Sequence, residues 1–172
     1  KLIVADYRRT LLGTVDSEHL AGYAAAQATL TAMIVDLAGR MSRRMPGSDV
    51  TQQQLRERSW WDGPEVFVVV DDYDLVATAS GNPLSPLVEH LPHARDIGLH
   101  LIVARRSGGA GRALFDPVIG RLRDLVTPGL VMSGSRDEGS LIGTVRPSPM
   151  PPGRGVFVDR SGPALVQLGH SS

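Results

Sequence analysis

The chain has 172 residues, 42% hydrophobic and 21% charged, within the range of one globular domain with a real core. Lys plus Arg and Asp plus Glu balance at 18 each, so the basic excess typical of a nucleic-acid-binding domain is absent. There is no cysteine, which excludes disulfides, thiolate metal sites and a cysteine nucleophile, and the sequence shows neither a membrane-length apolar run nor a signal peptide.

Leu2 to Ala5 is a short apolar run ending in Asp6 and predicts a buried strand. The chain opens directly on it without a start methionine, which reads as a fragment cut just before the second or third strand of a longer protein. The span from about Glu18 to Arg44 predicts a helix. Leu30, Met33, Ile34, Leu37 and Met41 make one apolar stripe, and Pro46-Gly47 ends it. A short polar helix over Gln52 to Arg58 precedes Trp60-Trp61. Pro83 to Ile97 predicts a helix that Pro92 kinks or splits. Leu99 to Ala104 predicts a second buried strand, Asp116 to Leu125 an amphipathic helix, and Gly129 to Met132 a further strand. Residues 146–155 form a Pro/Gly connector, and residues 156–168 a terminal strand pair turning at Ser161-Gly162. The tail from Gly169 is expected to fray. Strands alternating with helices predict one α/β domain with a mostly parallel sheet.

The most informative stretch is Glu65 to Val76. Val66, Phe67, Val68, Val69 and Val70 run straight into Asp71-Asp72. Such a run predicts a central parallel strand buried on both faces. Acids at its C-terminal end stand where open α/β sheets bind ligands. Two readings remain open: a Walker B strand, whose acid holds the magnesium of a nucleotide, or a buried strand whose acids cap the next turn. Of the 18 basic residues only Lys1 is lysine, so the chain contains no Walker A lysine.

Other groupings carry weaker chemistry. Ser107 to Leu114 resembles a dinucleotide-binding turn, but Leu114 stands where the third glycine is required, so a flexible turn that approaches a ligand or a neighbour is favoured. Arg105-Arg106 end a strand and read equally as phosphate or inter-subunit contacts and as a solvated pair. Arg8-Arg9 hold the matching place after the first strand, and the surface reading is favoured there. His90 and His93 read as surface histidines rather than metal ligands, and His100 as a satisfied core residue. Trp60-Trp61 read as packing under the sheet edge, with a partner-binding pair as the alternative.

In this order the pieces resemble the last ATPase domain of an EccC-type protein, the FtsK/SpoIIIE-like motor of actinobacterial type VII (ESX) secretion. The resemblance rests on Ala5 to Arg9, Arg58-Ser59-Trp60-Trp61, Pro64 to Val76, Gly98 to Ala113, Arg146 to Pro149 and Pro151 to Gly155. It implies a RecA-like P-loop NTPase core, here truncated at its N-terminus so that the Walker A strand and loop are absent. It implies ATP with Mg2+ as cofactors of the intact domain. Asp71 matches the Walker B aspartate and metal-side ligand, and Asp72 the catalytic acid that is often glutamate in active motors. Arg106 falls at a sensor position that is usually polar and neutral, with Arg105 beside it.

The resemblance further implies a cytoplasmic motor tied to the inner membrane through the rest of the protein or a partner chain. Its partners are sister ATPase domains, the membrane complex and, in a homo-hexamer, other copies. Its substrates are small WXG-type helical-hairpin proteins recognised through a signal helix, and direct DNA binding is not expected. The short Asp72 and the charged Arg106 suit slow or degenerate turnover, and this fragment is not expected to hydrolyse ATP alone. A fully active motor, a pure interaction module with a vestigial site and a DNA-translocating ATPase are the alternatives.

Overall fold

The structure is a computed structural model in which residues 1–169 are described, so the expected fraying beyond Gly169 lies outside them. Contacts divide the chain into two units, Lys1–Arg105 and the remainder from Arg106.

The first unit is built on four parallel strands, β1 (Leu2–Ala5), β2 (Leu20–Ala24), β3 (Val66–Val70) and β4 (Leu99–Val103), in the order β2-β1-β3-β4. After β2 the chain crosses to the other side of β1, which places a topological switch point between the C-terminal ends of β1 and β3. Helix α1 (Gln27–Arg43) buries Leu30, Ile34, Leu37 and Met41 completely, as the stripe predicts. Each such side chain contributes about 1.5–3 kcal/mol by leaving water.

The helix expected from Glu18 is instead strand β2 followed by α1. Gly22 lies under the Met33 sulfur, and a Cβ there would stand 2.9 Å from it, so the glycine admits the helix against the strand. Propensity in this Ala/Gly-rich segment is weak, and pairing with β1 decides it.

Helix α2 (Gln52–Glu57) starts with a capping box between Thr51 and Gln54. Trp60 and Trp61 pack, as favoured. Their indole N–H groups donate to the carbonyls of Arg44 (2.7 Å) and Asp96 (2.8 Å), and the Arg44 guanidinium lies 4.1 Å from the Trp61 ring centroid. The helix expected over Pro83 to Ile97 is absent. Two 3-10 turns, Ser85–Leu87 and Leu91–His93, stand there, each with a proline in its first positions. His90, expected at the surface, is 4% exposed, and its Nε2 lies 3.5 Å from the Ser42 hydroxyl.

The central strand is not buried on both faces. Val66, Val68 and Val70 are buried, whereas Phe67 is 38% exposed and stacks on His100 with ring centroids 4.2 Å apart. His100 is accordingly half-exposed rather than in the core, with Nε2 3.2 Å from Glu65 Oε2. The helical layer of this unit buries one face of β3 and leaves these alternate side chains open.

The first unit also holds the short helix α3 (Tyr73–Val76), and the second unit carries α4 (Ala110–Ala113) and α5 (Pro117–Asp124). Asp116 caps α5 by accepting from the amides of Val118 (2.9 Å) and Ile119 (3.1 Å). Strands β5 (Gly129–Met132), β6 (Arg154–Asp159) and β7 (Gly162–Gln167) form an antiparallel sheet. The terminal pair is thus as expected, but β5 pairs with it and not with the parallel sheet. Glu138 accepts from the amides of Gly109 (2.7 Å) and Gly111 (3.1 Å), so the turn in the 107–114 stretch does close on a neighbour.

Leu37→Ala should destabilise the protein by about 2–5 kcal/mol in urea unfolding, whereas Val35→Ala, 56% exposed on the same helix, should stay within about 0.5 kcal/mol.

Candidate functional site

The switch point is a cluster of strand-end acids. Val70 is in register with Ala5, and the Asp71 amide donates to the Ala5 carbonyl at 2.9 Å, which sets Asp71 beside Asp6. Asp6 is fully buried. Its Oδ2 accepts from the Tyr23 hydroxyl (2.6 Å) and the Leu11 amide (2.7 Å), and its backbone carbonyl accepts from the Arg9 amide at 3.3 Å. Burial alone would raise the Asp6 pKa. The bonds from Tyr23 and from the amides of Leu11, Thr10 and Arg9 outweigh it and hold the carboxyl below its ordinary range. The chain between β1 and residue 11 therefore curls around one carboxylate, with Arg9 in the left-handed region at φ 61.

Thr10 stands between the two acids. Its hydroxyl lies 3.1 Å from Asp71 Oδ2 and 3.4 Å from Asp6 Oδ1. Asp72 follows with φ 46 and ψ 57, turning the chain out of β3 into α3, and its carboxylate forms an ion pair with Arg8. The Tyr73 amide donates to the Ala104 carbonyl at 2.8 Å, which ties this turn to the end of β4. Arg105 reaches back from that end, Nη2 to Asp74 Oδ1 at 2.6 Å.

Thus Asp71, Asp72 and Arg105 occupy the C-terminal edge of one sheet, while Arg106 opens the second unit. Arg8, favoured as a surface residue, is engaged with the second acid. Asp6, Thr10 and Tyr23 escaped the sequence reading as site residues. The available signal was that Leu2 to Asp6 repeats, one strand earlier, the apolar-run-then-acid pattern of Val66 to Asp71.

Among the described residues no three His, Cys, Asp or Glu side chains converge as metal ligands, and no helix is long and apolar enough to cross a membrane. A parallel α/β sheet of this order, with strand-end acids at its switch point, has the architecture of an ATPase core. No protein-family model matches the chain. It is 57% identical over 99% of its length to the ESX-4 secretion system protein EccC4 of Mycobacterium tuberculosis, and spans 14% of that protein.

Among solved structures, the cytoplasmic domain of the Thermomonospora curvata type VII secretion ATPase EccC matches 100% of the chain at TM-score 0.95 and 53% identity, with 20% of that chain covered. A second structure, T. curvata EccC ATPases 2 and 3 in complex with a signal sequence peptide, matches equally, with 31% of it covered. The chain belongs, as a segment, to the EccC family of type VII secretion ATPases.

The Tyr23 phenol is pushed from 10.0 up to about 12, by burial first, then by its bond to the Asp6 carboxylate and the charges of Asp6 and Asp71, against Arg9. A raised pKa favours the neutral form in the folded state. This stabilisation is therefore complete below pH 10.0 and is lost as pH rises through about 12. Melting temperature should fall over that window, and Tyr23→Phe should flatten the fall. Tyr7, whose phenol burial also pushes up, contributes to the residual slope.

Proposed function

We propose that this chain is the magnesium-side part of an ATP-binding domain of a type VII secretion motor. It turns ATP over slowly and couples nucleotide binding to recognition and export of small helical WXG-type substrates. The observation that carries the reading is the position of Asp71-Asp72 at the switch point of the parallel sheet, where this architecture binds ligands.

Asp71 fits a magnesium-side role. It is a hard oxygen donor, half-buried, with Thr10 on Oδ2 and no hydrogen-bond partner on Oδ1 among the described residues. A single carboxylate suits Mg2+, which is commonly held by one or two acids together with phosphates and water. Bound Mg2+ would neutralise charge on the phosphates of ATP.

Asp72 is the residue on which turnover depends, and its ion pair with Arg8 supports slow turnover. A carboxylate engaged by a guanidinium is a weaker acceptor for an attacking water. Arg105 and Arg106 are the phosphate-side cations of this reading. A signal sequence peptide bound to T. curvata EccC supports substrate recognition by this segment. The remaining partners are sister ATPase domains, a membrane complex at the inner membrane and, in a homo-hexamer, other copies of the protein. The balanced charge of the chain supports the absence of direct DNA binding.

In the whole protein, Mg-ATP at about 100 times Kd should stabilise the domain by about 2.7 kcal/mol, read as a rise in melting temperature that Asp71→Asn diminishes. Steady-state hydrolysis should be slow and should rise in Arg8→Ala. Motor-like rates abolished by Asp72→Ala overturn slow turnover, and absence of a thermal shift leaves a pure interaction module. A WXG-type signal-helix peptide should bind saturably; no saturation removes substrate recognition.

A further inference from the structure

The first strand is followed by a densely bonded acid, Asp6, which is buried and has no ligand-facing role. Its bonds go to the segment that follows it and to Tyr23 and Ala24 on the neighbouring strand. The Leu11 amide and the Tyr23 hydroxyl converge on Oδ2, and the Arg9 amide on the main-chain carbonyl. This closes residues 6–11 into a tight loop that holds Arg9 in a left-handed conformation few non-glycine residues adopt. A loop fixed at that many points delivers two side chains to the end of β3, Arg8 to Asp72 and Thr10 to Asp71.

The Thr10 hydroxyl has one proton, and two carboxylates lie within reach of it. Asp71 Oδ2 is nearer, at 3.1 Å against 3.4 Å for Asp6 Oδ1. Donation to Asp71 Oδ2 fixes the rotation of that carboxylate about its last bond and directs Oδ1 away from Thr10. The two acids therefore differ in task although they stand side by side in register. Asp6 is enclosed by donors and shapes the loop, and Asp71 keeps one oxygen for a ligand.

We propose that Thr10 is the positioning residue of the nucleotide site. Held by Asp6 and Tyr23, it orients the Asp71 carboxylate so that Oδ1 meets the magnesium side of a bound nucleotide. The inference rests on the nucleotide reading above and gives the Thr10 hydroxyl a task within it. Outer partners of metal-side carboxylates typically govern about ten- to a hundredfold in metal affinity. The hydroxyl, rather than the bulk of the side chain, is what the geometry requires.

The test is titration of the whole protein with a non-hydrolysable ATP analogue, in Mg2+ and separately in EDTA. The part of the Mg2+ dependence that Asp71→Asn removes reports this site. Thr10→Val and Thr10→Ala should each weaken the Mg2+-dependent binding about tenfold, leave binding in EDTA unchanged, and preserve the nucleotide-free melting temperature. Thr10→Ser should restore the Mg2+ dependence. An unchanged Mg2+ dependence in Thr10→Val and Thr10→Ala overturns the inference alone. So does equal weakening in Mg2+ and EDTA, which would make the hydroxyl a folding element. If Asp71→Asn removes none of the Mg2+ dependence, the nucleotide reading fails and the inference fails with it.

Discussion

The alignment of β1 with β3 is the constraint from which the rest of the site follows. Parallel pairing in register, Ala5 beside Val70, means that whatever residue follows each strand emerges at the same height. Both strands are followed by aspartate, so two carboxylates leave the sheet together. Like charges so placed oppose ionisation of one another unless their surroundings differ. The structure separates them by environment. Asp6 is taken out of water and surrounded by donors, and Asp71 stays half-buried with a single hydroxyl. One register shift of β1 would turn these side chains to the opposite face and dissolve the arrangement.

The ion pairs around the site matter for direction more than for stability. Arg8 is 41% exposed and its partner Asp72 19%, a setting in which such a pair is worth at most about 1 kcal/mol. The same pair nevertheless decides where the Asp72 carboxylate points and what charge surrounds it. Arg105 does likewise for Asp74. Stability of the first unit resides elsewhere, in the fully buried face of α1 and in the buried Val66, Val68 and Val70 of β3. The edge of the sheet can therefore carry charge and an unusual backbone without threatening the fold.

The long periodic stripe of α1, the capped α2 and α5 and the apolar runs of β1, β3 and β4 were legible in the residues because each is specified locally. The terminal hairpin was legible from its Ser161-Gly162 turn. Strand β2 was not, since Leu20 to Ala24 has little intrinsic preference and becomes a strand only by pairing with β1 while Gly22 makes room for Met33. The open face of β3 was hidden because a run of β-branched residues reads the same whether one face or both are covered. At the sheet edge, the strand-end placement of Asp71 and Asp72 was legible from their position after an apolar run. Thr10 was not, since its role depends on a loop folded around Asp6, and that fold is a matter of bond directions that no spacing rule records.

Asp72 shows how backbone and chemistry constrain each other at such an edge. The chain must turn sharply out of β3, because the Tyr73 amide is tied to the end of β4, and the turn places Asp72 at φ 46 and ψ 57. Aspartate tolerates that left-handed region several-fold better than most residues, since its short carboxylate meets little of the following backbone. A glutamate here would gain a methylene of reach while sitting less well in the turn. The short acid is thus the one the backbone favours, and the Arg8 pair then fixes it in place. The short side chain and its Arg8 pair together stabilise the turn on which the placement of Asp71 depends.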